Sequence, residues 1–231
     1  MSLHYNDHGP YVGPDGVWEQ IIHPVERGAP KRPALFLDRD GVINEDVGYL
    51  HSPQDVRILS GAGRVINAAN RLGFKVVVVT NQGGIGLGYY GWGDFAEVQE
   101  RIEELLAPDR AEIDAVFASP YHPRGVNAYA HPDHPSRKPN PGMLLSAARW
   151  LNIDLGKSWI IGDHYRDLEA GKNAGLAGGM HVFSGHGAHE GQREGALALA
   201  DGNFRVVTGY SISAAINELP LFLDRETDRA E

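Results

Sequence analysis

The chain has 231 residues, with 21 Lys and Arg against 30 Asp and Glu, a net charge of −9 with histidine neutral, and no cysteine. That length suits one domain with a short appendage. An acidic chain without a basic run argues against nucleic acid as a partner, because clustered Lys and Arg hold the phosphate backbone. The absence of thiols excludes disulfides, thiolate metal ligands and a cysteine nucleophile, and fits a reducing, cytoplasmic setting. Apolar runs such as residues 76–79 fall far short of the ~20 residues of a membrane helix. The N-terminus has neither the basic start nor the apolar stretch of a signal peptide, so no membrane association is expected.

Residues 1–32 hold no sustained period and carry Gly9-Pro10 and Gly13-Pro14, both turn signals. They read as an irregular extension with a short helix over 17–22. Order begins at Ala34, Leu35, Phe36 and Leu37, an apolar run ending in Asp38, as expected of a central parallel strand. Val65, Ile66, Ala69 and Leu72 at helical spacing, with Gly73 beyond them, predict a helix closed by glycine. The β-branched residues 75–80 predict a second strand, followed by a turn with glycine at 83, 84, 86 and 88. Asp94 and Glu97 give a capping-box pattern for an amphipathic helix through Phe95, Val98, Ile102 and Leu105.

Residues 115–118 predict a third strand, and a loop rich in proline and histidine follows from 119 to 139. Asn140 as cap and Pro141 at the first helical position start a helix through Leu144, Leu145, Ala148 and Leu151. Strands are predicted at 159–161 and 180–183 around a short helix at 167–174 closed by Gly175. A further strand at 204–207 and a helix at 212–219 complete the pattern. The alternation predicts an α/β fold over residues 33–222, a doubly wound parallel sheet, with 223–231 as a tail. Ligands bind such sheets beyond the carboxyl ends of the strands.

Those ends carry Asp38-Arg39-Asp40-Gly41, Thr80-Asn81-Gln82, Arg137-Lys138-Pro139 (through the long loop), and Gly162-Asp163 with Asp167. Singly, each is an ordinary turn, cap or surface pair; at successive strand ends they make a coherent set. Aspartates at i and i+2 of an extended segment point to one side, so one can attack while the other handles protons. Crowding raises a carboxyl pKa toward that of a general acid. Asp163 adds a third carboxylate to an oxygen-rich pocket suited to a hard cation such as Mg²⁺. Lys138 and Thr80 supply a positive charge and a hydroxyl for phosphoryl oxygens.

These motifs resemble those of the haloacid dehalogenase-like phosphohydrolases. Residues 33–182 are similar to the branch of D-glycero-D-manno-heptose 1,7-bisphosphate and histidinol-phosphate phosphatases, through the run from Phe36 to Asn44, Gly48-Tyr49, Thr80-Asn81-Gln82, and Arg137 to Met143. The resemblance implies a Rossmann-like fold in which Asp38 is the nucleophile and forms an aspartyl-phosphate. It implies that Asp40 protonates the leaving oxygen and then activates water. By the same carry-over, Mg²⁺ is held by the carboxylates of Asp38 and Asp163 and the backbone carbonyl of Asp40. Thr80 and Lys138 hold the phosphoryl group, Asp167 orients Lys138 or a metal-bound water, and Asp46, Gly48, Tyr49, Asn81 and Arg137 contact the substrate.

The expected partner is a small phosphorylated metabolite, a heptose bisphosphate before histidinol phosphate, whose cation Glu45, Asp46 or Asp133 could meet. A catalytically inactive binding protein on the same fold is the competing class, opposed by a suitable residue in every catalytic role. A nicotinamide dehydrogenase is disfavoured because the glycines do not match Gly-x-Gly-x-x-Gly.

Some positions depart from the branch. Its zinc-binding loop, Cys-x-His…Cys-x-Cys, reads Ser119, Tyr121, His134 and Ser136 here, which argues against a structural zinc. His122, His131 and His134 read as solvated loop histidines before they read as a replacement site. Leu87 stands at an arginine position, and Tyr89, Tyr90 and Trp92 read as packing beside a helix. Segments 44–58 and 119–137 are too short for an inserted domain, so a capless, open site is expected, with specificity in loops 45–51 and 119–137.

Overall fold

The computed structural model describes residues 11–223, so the Gly9-Pro10 turn and most of the 223–231 tail lie outside it. Seven strands form one sheet: β1 (Trp18–Ile21), β2 (Ala34–Leu37), β3 (Lys75–Asn81), β4 (Ala115–Ser119), β5 (Trp159–Gly162), β6 (Gly178–Val182) and β7 (Arg205–Gly209), in the order β1-β4-β3-β2-β5-β6-β7. Strands β2 to β7 are mutually parallel and β1 runs antiparallel to β4 at the edge. The helices are α1 (Ala62–Arg71), α2 (Gly83–Gly86), α3 (Trp92–Leu106), α4 (Gly142–Leu151), α5 (Tyr165–Ala174), α6 (Gln192–Leu197), α7 (Ala215–Glu218) and α8 (Pro220–Leu223).

The central strands carry continuous apolar runs because helices cover both faces of the sheet. Leu35, Leu37, Val76, Val78 and Val116 pack on one side against Val65, Ile66 and Ala69 of α1 and Phe95, Val98 and Ile102 of α3. Phe36, Val77, Val79, Phe117 and Ile160 pack on the other against Met143, Leu144 and Ala147 of α4 and Leu168 of α5. The chain turns outward on either side of β2, so the carboxyl ends of β3, β2 and β5 face one crevice, the switch point where this sheet class binds ligands. Among the described residues no helix is long and apolar enough to cross a membrane.

Residues 18–21, expected as part of a helix, are instead the edge strand, with Trp18 opposite Ala118 and Ile21 opposite Ala115. Tertiary pairing outweighs local propensity here. Trp18 is buried, its ring stacked 5.5 Å from Trp92 and edge-on to Phe95 at 5.2 Å, contacts that a strand on β4 makes available. Some helix starts also shift. Helix α3 begins at Trp92, so Asp94 lies in its first turn and accepts from the Gly91 N–H at 2.8 Å instead of serving as cap. Helix α4 begins at Gly142, and the Asn140 amide turns back to Asp133 Oδ1 at 2.7 Å and His134 O at 3.1 Å. The last predicted helix divides into a 3₁₀ turn at Ile212–Ala214 followed by α7 and α8.

Candidate active site

Strand register assembles the site. Leu37 is level with Val78 of β3 and Ile161 of β5, so Asp38, Thr80 and Asp163 emerge at one edge of the sheet. Lys138 reaches the same point from the loop before α4. Its buried ammonium lies 2.9 Å from Asp38 Oδ1 and 2.7 Å from Asp167 Oδ1, and donates to Val79 O at 2.8 Å. Asn81 holds the backbone of Lys138 from both sides, its Oδ1 accepting from Lys138 N at 3.0 Å and its Nδ2 donating to Lys138 O at 3.2 Å. Asp38 Oδ1 also accepts from the Arg39 N–H at 2.8 Å, which sets the plane of that carboxylate.

Oxygens of Asp38, Asp163 and Asp167 lie within 4.8 Å of one another. Asp163 accepts from the His186 N–H at 2.7 Å. Two glycines with left-handed φ make room for it: a β-carbon would lie 2.3 Å from Asp163 Oδ2 on Gly41 and 2.1 Å away on Gly185. Burial, only partly offset by Lys138 in the case of Asp38, pushes Asp38 up to about 7. Burial and the charges of Asp38 and Asp167 push Asp163 up to about 9. Burial by itself would lower the Lys138 pKa, but Asp167 and Asp38 outweigh it and raise it.

Three carboxyl groups thus cluster in a buried space around one ammonium that pairs with two of them, so their full ionisation would leave negative charge uncompensated. An all-oxygen donor set with excess negative charge fits a hard divalent cation. The expected ligand set named Asp38, Asp40 and Asp163; the carboxylates that cluster are Asp38, Asp163 and Asp167. Asp167, expected to support Lys138, also contributes to the oxygen cluster. The side chain of Asp40 belongs to a different network, taking bonds from Arg39 Nη2 at 3.0 Å, Asn44 Nδ2 at 2.9 Å and Gln82 Nε2 at 3.0 Å. Its side chain is not among the clustered carboxylates.

At the rim, Asp46 accepts from the Gly48 N–H at 2.8 Å and pairs with His186 Nε2 at 3.0 Å. Gly48 takes a φ of 86°, and the half-exposed Tyr49 meets Tyr89 edge-on at 4.7 Å. Arg137 is half-buried and donates to Tyr121 O. Arg166, the chain neighbour of Asp167, lies near enough to Arg137, the chain neighbour of Lys138, that burial and the Arg166 charge lower the Arg137 pKa.

A family signature described as HAD-hydrolase-like matches residues 135–198. The D-glycero-beta-D-manno-heptose-1,7-bisphosphate 7-phosphatase of Mesorhizobium japonicum is 51% identical over 168 residues, 72% of this chain and 76% of that protein. The chain belongs to the haloacid dehalogenase-like phosphatases. The enzyme of the same name from Escherichia coli K12 is 37% identical to this phosphatase over 153 residues, 66% of this chain and 80% of that one. A HAD-like phosphatase of Mesorhizobium loti has the same fold with a TM-score of 0.72 at 47% identity, covering 76% of this chain and 84% of that one. The D,D-heptose 1,7-bisphosphate phosphatase of B. bronchiseptica, complexed with magnesium and phosphate, gives a TM-score of 0.66 at 29% identity over 80% of this chain and 96% of that one.

In this phosphatase the positions that would ligate zinc do meet, but they satisfy one another. The Ser119 and Ser136 hydroxyls bond at 2.9 Å, His134 Nδ1 faces Ser136 Oγ at 2.8 Å, and the rings of Tyr121 and His134 stack 3.5 Å apart at 12°. Two hydroxyls, a phenol and one imidazole do not fit a structural zinc, which prefers thiolate and imidazole. His122 Nδ1 and His131 Nδ1 accept from the N–H groups of Arg124 at 3.0 Å and Asp133 at 3.2 Å, so each caps its own turn.

The aromatic group divides: Trp92 packs in the core as expected, Tyr89 stands exposed beside Tyr49, and Tyr90 reaches the site. Residue-by-residue reading left Arg39, Asn44, Gln82, Arg166 and His186 without roles, although Gln82 directly follows Thr80-Asn81 and pointed to the same strand end.

Proposed function

We propose that this phosphatase hydrolyses D-glycero-D-manno-heptose 1,7-bisphosphate at the 7-phosphate with Mg²⁺ as cofactor. The observation that carries the reading is Asp38 at ion-pair distance from the buried Lys138, beside the carboxylates of Asp163 and Asp167. Mg²⁺ would be held by Asp38, Asp163 and the carbonyl of Asp40, with Asp167 adjacent, and would neutralise charge on the phosphoryl oxygens.

Asp38, its plane set by Lys138 and the Arg39 N–H, attacks phosphorus, and the bond to the sugar oxygen breaks. Asp40 gives that oxygen a proton. It then takes a proton from the water that attacks the aspartyl-phosphate, releasing inorganic phosphate and restoring Asp38. Thr80 and Lys138 hold the phosphoryl oxygens as charge redistributes.

Two features support a bisphosphate over histidinol phosphate. Arg137 and Arg166, the chain neighbours of Lys138 and Asp167 and close to one another, present cations, which suit a second anion and not the amine of histidinol. Asp46, a carboxylate that could meet such an amine, is already paired with His186.

Turnover with Mg²⁺ across both anomers of the heptose bisphosphate, histidinol phosphate and common sugar monophosphates tests the reading. A heptose bisphosphate should have the highest kcat/KM, and a preference for histidinol phosphate would overturn the substrate. Asp38→Asn should abolish phosphate release from every substrate; normal turnover would overturn the nucleophile.

A further inference from the structure

Gln82 is almost wholly buried, yet every hydrogen-bonding position of its amide is used. Nε2 donates to Asp40 Oδ2 at 3.0 Å and to Thr80 Oγ1 at 2.9 Å, while Oε1 accepts from Arg39 Nη2 at 3.2 Å and from the Tyr90 hydroxyl at 2.6 Å. A guanidinium has no acceptor, so the atom facing Arg39 must be the oxygen, and the NH₂ group must face Asp40.

Tyr90 reinforces that orientation. Burial raises its pKa, so its hydroxyl stays a donor. Its ring is seated against His51 at 5.7 Å, and the position of Gly84 leaves it room, since a β-carbon there would lie 2.2 Å from the ring. The chain Tyr90–Gln82–Asp40 therefore runs from the loop at 45–51 to the carboxylate proposed as acid and base. That carboxylate is itself 20% exposed.

We infer that Gln82, oriented by Tyr90, is a positioning residue that aims the Asp40 carboxyl at the leaving oxygen and ties it to Thr80, the hydroxyl on the phosphoryl group. This rests on Asp40 as the general acid. Proton donation matters for an alkyl leaving group such as a sugar oxygen and little for p-nitrophenolate, which leaves without a proton. A carboxyl held out of place therefore slows sugar phosphates selectively, whereas general damage to the site slows both.

The experiment compares kcat/KM for a heptose bisphosphate and for p-nitrophenyl phosphate, with Mg²⁺, in the wild type, Asp40→Asn, Gln82→Leu, Tyr90→Phe and the Gln82→Leu/Tyr90→Phe double variant. Asp40→Asn should lose about 10²–10⁴-fold on the sugar phosphate and far less on the aryl ester. Gln82→Leu should show the same selectivity with a loss of about 100-fold, and Tyr90→Phe a smaller one. The double variant should be no worse than Gln82→Leu, because Tyr90 acts through Gln82.

Equal losses on the two substrates for Gln82→Leu or Tyr90→Phe, or additive losses in the double variant, overturn the positioning role. Should Asp40→Asn itself lack the selectivity, the assignment of the acid fails instead. Tyr90→Phe removes a single oxygen, so the test survives a Gln82→Leu chain that does not fold.

Discussion

The ammonium of Lys138 sits 2.7 Å from Asp167 and 2.9 Å from Asp38, so one buried cation serves two carboxylates from different strand ends. Asp167 is tied further to the start of α5, accepting from the His164 N–H at 2.9 Å. Asp167→Asn keeps the shape and removes one charge, freeing Lys138 to lean on Asp38. The expected result is an activity loss of about 10–100-fold, typical of a residue supporting a metal site. Lys138→Met leaves Asp38 and Asp167 without their ammonium and should cost about 3–5 kcal/mol of stability in chelator. Denaturant melts with and without Mg²⁺ check this, and the deficit should shrink when the cation is present.

The raised pKa values of Asp38, to about 7, and Asp163, to about 9, make metal affinity depend on pH. Below pH ~4 both carboxyls are protonated whether the chain is folded or not, and they contribute nothing. As pH rises the unfolded chain ionises first while the folded site resists, so the metal-free protein loses stability from about pH 4 up to those folded values. Bound Mg²⁺ takes the place of the retained protons. The melting temperature in chelator should therefore fall between pH 5 and 8, and the gain from Mg²⁺ should be larger at pH 8. Calorimetry in buffers of different ionisation heat should detect protons released on binding. A stabilisation independent of pH would contradict the carboxylate cluster as the binding site.

Most of this site was legible because its chemistry follows strands, and apolar strands are the strongest pattern in the chain. Asp38 ends Ala34–Leu37, and Thr80 and Asn81 end a β-branched run, so position and residue type agree. Lys138 was legible by its charge and by the strand that leads to its loop, but its place in the site was not, since no periodicity describes the path of that loop. The edge strand was not legible: residues 18–21 favour β4 only once Trp92 and Phe95 provide a surface for Trp18. Nor was the role of Asn81, whose amide is engaged by the backbone of Lys138, a partner far away in sequence. Gln82 and Arg166 had no role that the sequence could assign, because a buried amide and an exposed guanidinium take their meaning from what faces them.

Arg166 stands exposed at the start of α5, and among the described residues it has no carboxylate in an ion pair. If the substrate carries a second phosphate, this guanidinium and the nearby Arg137 are cations that could meet it. Arg166→Glu should raise KM for a heptose bisphosphate by about tenfold, the effect of losing about 1.4 kcal/mol of binding, with kcat nearly unchanged. A sugar monophosphate should respond much less. Steady-state kinetics on the two substrates measures the difference, and equal effects would place the second phosphate elsewhere.

The loop from Ser119 to Arg137 carries Arg137 and leads into Lys138, so whatever holds that loop also positions the Lys138 ammonium. Its closure is made by the Ser119–Ser136 bond and the Tyr121–His134 stack, and the Tyr121 hydroxyl donates to Asp15 O in the segment before β1. A loop closed this way should need no zinc. Purified protein should contain zinc well below one atom per chain, and a zinc-selective chelator should leave its Mg²⁺-supported activity unchanged. Tyr121→Ala removes both the stack and the bond to Asp15, and should lower activity while leaving the zinc content as it was. Stoichiometric zinc, or activity lost to the chelator and restored by zinc, would mean that His122, His131 and His134 rearrange to bind it.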